Sequence, residues 1–226
     1  MAAIQFPQLT GRVVDNADML NAKEERHITD LLAAHEKATT NQVVVVTLPD
    51  LGGNDIENYG YQLGNHWGIG QKGVDNGVLL IVAKKERKLR IEVGLGLEDT
   101  LTDAICANII NAIIVPKFKR GKFDDGIDDG VTAIIDALGG QYRMKQVHPK
   151  VSPTEESIIM FILMSLLGLV YRFAPSPSPY SLRPKQPGRY YHWHDSWYGG
   201  GHGGGFGGGF SGGGGGFGGG GASGGW

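Results

Sequence analysis

"NGVLLIVAKKERKLRIEVGLGLEDTLTD", residues 76–103, is the stretch on which the architecture turns. Its first eight residues form an apolar run too short for an amphipathic helix, and they suit a strand buried on both faces. "KKER" (84–87) then reads as a charged hairpin turn. "KLRIEVG" (88–94) alternates and predicts a half-exposed strand antiparallel to the first. Upstream, "QVVVVTL" (42–48) is a second β-branched run of the buried-strand type. Helical patterns fill the spaces between. "NAKEERHITDLLAAHEKAT" puts Ile28, Leu31, Leu32 and Ala34 on one face, with Asn21 and Glu24 as an N-cap pair. "DIENYGYQLGNHWG" predicts a helix ended by glycine, "TLTDAICANIINAIIVPKFK" one interrupted near Pro116, and "FDDGIDDGVTAIIDAL" the last. Helices alternating with strands predict an α/β protein, its small mixed sheet covered on both sides.

The rest of the 226 residues divides by composition. Residues 1–142 read as the globular domain, and the polar, proline-containing 143–157 as a linker. Residues 158–171, "IIMFILMSLLGLVY", are the one long apolar run. As a helix it would be about 21 Å long at 1.5 Å per residue, short of a hydrocarbon core of about 30 Å. It is nevertheless apolar all round and follows a finished domain, which predicts a single span or deep anchor. Arg172, Arg183, Lys185 and Arg189 follow it against one acid, Asp195. The positive-inside rule then puts the tail in the cytoplasm and the domain on the non-cytoplasmic side. The start, "MAAIQFPQLTGRVVDNADML", does not have the pattern of a signal peptide. Residues 172–226 are expected to be disordered, because 20 of the last 28 are glycine and offer little to bury. The aromatic residues Phe206, Phe210, Phe217 and Trp226 suggest weak self-association.

The formal net charge of −2 lacks the basic footprint of a nucleic-acid binder. The one cysteine, Cys106, lies in an apolar pattern and reads as a buried, inert thiol. "GLG" (94–96) is a poor dinucleotide fingerprint, because the third glycine position is Asp99 and the preceding strand comes from a hairpin. Acids crowd this corner instead: Glu98, Asp99 and Asp103, with Asp75 ahead of the strand that starts the hairpin. Hard cations take several such oxygens. The same residues also suit helix capping, through Asp99 or Thr100 with Asp103, and the pattern alone favours the cap. Asp124, Asp125, Asp128 and Asp129, beside Lys117, Lys119, Arg120 and Lys122, read as a solvated helix start.

"VVDNADML", "QVVVVTLPDL", "WGIGQKGVDNGVLLIVAKKERKLRIEVGLGLEDTLTD" and "FKRGKFDDGI" together resemble the TPM domain family, YgcG type, which is related to the thylakoid-lumen acid phosphatase. The resemblance covers residues 7–140 and implies a three-layer α/β/α sandwich. It also implies a divalent cation, calcium first and magnesium or manganese next, held by Asp75, Glu98 and Asp103. Metal-assisted phosphate-ester hydrolysis follows as one expected activity. A non-enzymatic cell-envelope module that recognises a membrane-protein partner is the other. Asp15 and Asp18 match family positions as well, and are expected to cap the helix after them.

Overall fold

The computed structural model describes residues 4–145, 162, 164–166 and 212–226. They fall in two units. One joins residues 1–147 with 204–226, and the other is 148–203. Of the predicted membrane helix only Ile162 and residues 164–166 are described, and they are helical. The rest of that expectation lies outside the described residues, as do residues 146–157 of the linker and residues 172–211. Among the described residues no helix is long and apolar enough to cross a membrane.

The first unit is built on five strands in the order β1-β2-β3-β4-β5: Val13–Asp15, Gln42–Leu48, Gly77–Ala83, Lys88–Gly94 and Phe217–Gly225. The first three are parallel, and β4 and β5 are each antiparallel to the strand before. Strand alternation sends Val43, Val45, Val78 and Leu80 to one face and Val44, Val46, Leu79 and Ile81 to the other. On the first face pack α1 (Ala22–Thr39), α3 (Asp103–Ile109), α4 (Val115–Phe118) and α5 (Phe123–Leu138). On the second lies α2 (Ile56–Trp67), through Ile56, Tyr59, Leu63 and Trp67. Five-stranded mixed sheet and flanking helices thus match the expected α/β class.

Local signals explain most of the boundaries. Asn21 caps α1, its Oδ1 accepting from Lys23 N and Glu24 N at 3.1 Å each. Gly68 ends α2 in the left-handed region, at φ 58°. The interruption near Pro116 is a π-helical stretch, Ile110–Ile114, joining α3 to α4. It places Pro116 in the first turn of α4, where a missing N–H is tolerated.

Three expectations are corrected. Asp15 does not cap α1. Its carboxylate accepts from Met19 N and Leu20 N at 3.1 and 2.9 Å and from the Thr47 hydroxyl, folding the loop after β1, while Asp18 provides no cap to α1. β4 is not half-exposed, because every residue from Leu89 to Gly94 is buried. The last part of the tail is not disordered: residues 217–225 form β5 and cover the β4 edge. Phe217 anchors its start, 4 % exposed in the α2-side core. Its ring occupies space that a Cβ on Gly64 or Gly77 would fill, at 2.8 and 3.0 Å. Trp226 anchors the far end, edge-on to Phe118 with ring centroids 4.7 Å apart.

Removing a buried phenylalanine ring destabilises by about 3–5 kcal/mol. Phe217→Ala is therefore expected to lower unfolding stability by about 3 kcal/mol in a urea titration. A truly disordered tail would leave the midpoint unchanged.

Candidate functional site

The three acids singled out in the sequence all lie along the path of β5. Asp75, in the left-handed region at φ 53°, accepts the Gly216 N–H on Oδ1 at 2.8 Å. Asp103, the first residue of α3, accepts the Gly221 N–H on Oδ1 at 2.7 Å. Glu98 lies beside the strand, and a Cβ on Gly220 would stand 2.5 Å from its Oε1. Glu98 and Asp103 share a shallow recess with Thr102, Ala104 and Gly220, and Asp75 is not among its lining residues. Among the described residues no three His, Cys, Asp or Glu side chains converge as a metal requires. An all-protein calcium cage needs about six to eight oxygens, and here Asp75 and Asp103 each accept a backbone N–H instead. The capping expectation moves by a few residues: Thr102 caps α3, accepting from Ile105 N at 3.4 Å, not Asp99 or Thr100.

The glycine turn is a packing seat. Gly94 and Gly96 lie where a Cβ would run into the backbone carbonyls of Asp75 and Val74 respectively. Gly96 N donates to Asp75 O at 3.1 Å, and Leu95 N to Gly216 O at 3.3 Å. Asn76 fixes the other side of the loop. Buried at 2 % exposure, it accepts from Gln71 N at 2.8 Å and donates to Thr40 O at 2.9 Å.

The sequence reading did not single out Arg90, Glu92 and Asn65. Arg90 and Glu92 are 5 % and 0 % exposed, two apart on β4, and form an ion pair on its α2 side. Arg90 also donates to Gly219 O at 2.8 Å and to the Ser223 hydroxyl at 3.1 Å, so both remaining guanidinium nitrogens hold β5. Glu92 Oε1 is buried without a hydrogen-bond partner. Burial pushes the Glu92 carboxyl above the usual range, against the pull of Arg90, and nearby Glu98 and Asp103 push the same way. Asn65, on α2, brackets Phe217, accepting from its N at 3.2 Å and donating to its O at 3.5 Å. The signal for the first two was the pair of charges at i and i+2 on a strand, which read as a solvated face. Cys106 is buried, and burial pushes its thiol up to about 12, so it is no nucleophile at neutral pH.

The sheet order and the loops around residues 75 and 98 define an α/β domain with its C-terminal strand on the β4 edge. The TPM domain family matches residues 13–137, more than half of the chain, and the chain belongs to this family. The N-terminal domain of a protein from P. gingivalis, solved in solution, is 31 % identical, with a TM-score of 0.55. The match covers 62 % of this chain and 89 % of that one. The BA42 protein of Bizionia argentinensis is 26 % identical over 58 % of this chain and 89 % of its own, with a TM-score of 0.49. Among curated proteins none matches.

Arg90→Leu leaves Glu92 as an unpaired buried carboxylate, a change that costs about 3–5 kcal/mol. A group whose folded pKa is raised contributes stability below its unfolded pKa and loses it as pH rises through the folded one. The deficit of the variant is therefore expected to be largest at about pH 8 and to shrink toward about pH 5, read from urea midpoints across that range. A deficit that does not vary with pH would separate Glu92 from the effect.

Proposed function

We propose that this TPM domain is a non-enzymatic recognition module that takes an extended glycine-rich strand onto the β4 edge. One observation carries the reading. Asp75 and Asp103, two of the acids a cation would need, each receive a backbone N–H of residues 216–221. Such donors offer a carboxylate the same favourable partner that a helix N-terminus offers an anion. Strand addition of this kind draws affinity from main-chain bonds and specificity from pockets for particular side chains. Here the pockets are those of Phe217 and Trp226, and the main-chain bonds extend from Lys72 N–Gly213 O at 2.8 Å to Trp226 N–Arg87 O at 3.2 Å. The apolar run 158–171 supports attachment to a membrane as part of the same proposal, with a membrane-protein partner as the neighbour served.

Selection is by exclusion. Gly221 adopts φ +120°, and a Cβ there would run into Ile91 O. At Gly224 it would meet the Ile110 side chain. Gly221→Val is expected to undock the strand and open the groove. A synthetic peptide of residues 212–226 should then bind this variant, and a peptide with valine at 221 should bind more than about tenfold weaker, a difference of about 1.4 kcal/mol. Equal binding of the two peptides would contradict recognition of a glycine strand.

The cation reading has its own test on the full chain. Calorimetric titration with calcium is expected to give no saturable heat that Asp75→Asn/Asp103→Asn removes. A saturable isotherm lost in that double variant would assign the corner to a cation and set the strand reading aside.

A further inference from the structure

We propose that β5 is an exchangeable strand, and that the β4 edge takes the Phe217–Gly225 strand of a second copy of this chain. The inference rests on the strand-recognition reading and adds the identity of the partner. Three observations support it. First, the contacts that hold β5 come from the body of the domain. Asn65, Arg90 and Asp103 reach its backbone or Ser223, Asp75 holds Gly216 just ahead of it, and the aromatic seats are at Gly64 and Phe118. Second, Gly221 leaves no room for a Cβ against Ile91 O, Gly219 and Gly221 both hold positive φ, and every copy carries a strand that satisfies these demands. Third, residues 146–211 separate the last residue of the body, Lys145, from Gly212. Those 66 residues can reach at most about 240 Å when fully extended, so the chain's length does not force the strand back onto its own body.

A strand from a second copy would make the same contacts as the chain's own. The balance is then set by concentration: an intramolecular strand competes at an effective concentration on the order of mM. Exchange is expected where copies are crowded. Reciprocal exchange closes a dimer, and one-way donation is a head-to-tail contact that extends into open chains.

The register supplies a test on the full-length protein. Lys88 pairs with Gly225, and both are exposed. Opposed residues on antiparallel strands lie about 4.5–5.5 Å apart at Cα, within disulfide range. Lys88→Cys and Gly225→Cys are made singly and together, and oxidised under mild conditions. Buried Cys106 does not compete. The double variant should close its disulfide within one chain. In a mixture of the two single variants, the two introduced thiols can join only between copies. The mixture should give a disulfide-linked heterodimer beyond the dimer of either single variant alone, rising roughly tenfold as a fraction of the protein between about 10 and 100 μM. If the double variant closes and the mixture gives no heterodimer even near about 1 mM, exchange is overturned while strand recognition stands. If the double variant does not close, the docked strand itself is refuted, and exchange with it.

Discussion

An arginine and a glutamate cannot lie dry on a strand unless each finds the other and the remaining donors find acceptors. On β4 this requirement falls on Arg90 and Glu92. The strand that shields them also answers the spare donors, through Gly219 O and Ser223 Oγ. The Ser223 hydroxyl bonds the Glu57 carboxylate in turn. Against the upward push of burial, that bond and nearby Arg90 and Lys88 hold Glu57 below the usual range. Helix α2 closes the other side. Gly60 leaves room over the pair, since a Cβ there would meet Ile81, Glu92 and Arg90 side-chain atoms at 2.8–3.3 Å. Without β5 these charges would lie at an open sheet edge.

The parts of the fold that could be read from the sequence are those whose partners are local or generic. The runs 42–48 and 76–83 are buried whichever helices cover them, so composition alone identified them as strands. Asn21 and Gly68 announce helix ends through backbone chemistry that needs no tertiary partner. β5 could not be read in this way. A strand is usually recognised by side chains that alternate, and "FGGGGASGG" has almost none because its neighbours supply the bulk. Ile110, Leu95 and Glu98 occupy the space where its side chains would be. Glycine-rich composition signals disorder on average, but here a preformed groove and two aromatic anchors offset the ordering entropy.

The candidate acids show the same division. Their positions were legible, and by hydrogen bond Asp103 meets β5 while Asp75 meets Gly216 just ahead of it. Their partners were not, because a carboxylate on a loop looks the same whether it awaits a cation or an amide. The helix start just beyond Leu101 and the turn at 94–96 explain why Glu98 and Asp103 lie along the path of β5. β5 explains what they meet there. Arg90 and Glu92 were passed over for the opposite reason. Alternating charges on a strand ordinarily face water, but here α2 lies over that face and a strand from the far end of the chain pairs alongside it.

The intervening chain also bears on what holds the molecule together. Between Lys145 and Gly212 the polypeptide could be severed at any peptide bond without breaking a single hydrogen bond of the β4–β5 ladder. A nicked molecule would remain one particle in native solution and become two fragments only on denaturation. Residues 212–226 contain no lysine or arginine, so a trypsin-like protease has no cleavage site within the docked strand. Mass on a denaturing gel would then report the state of the connection, not the integrity of the domain.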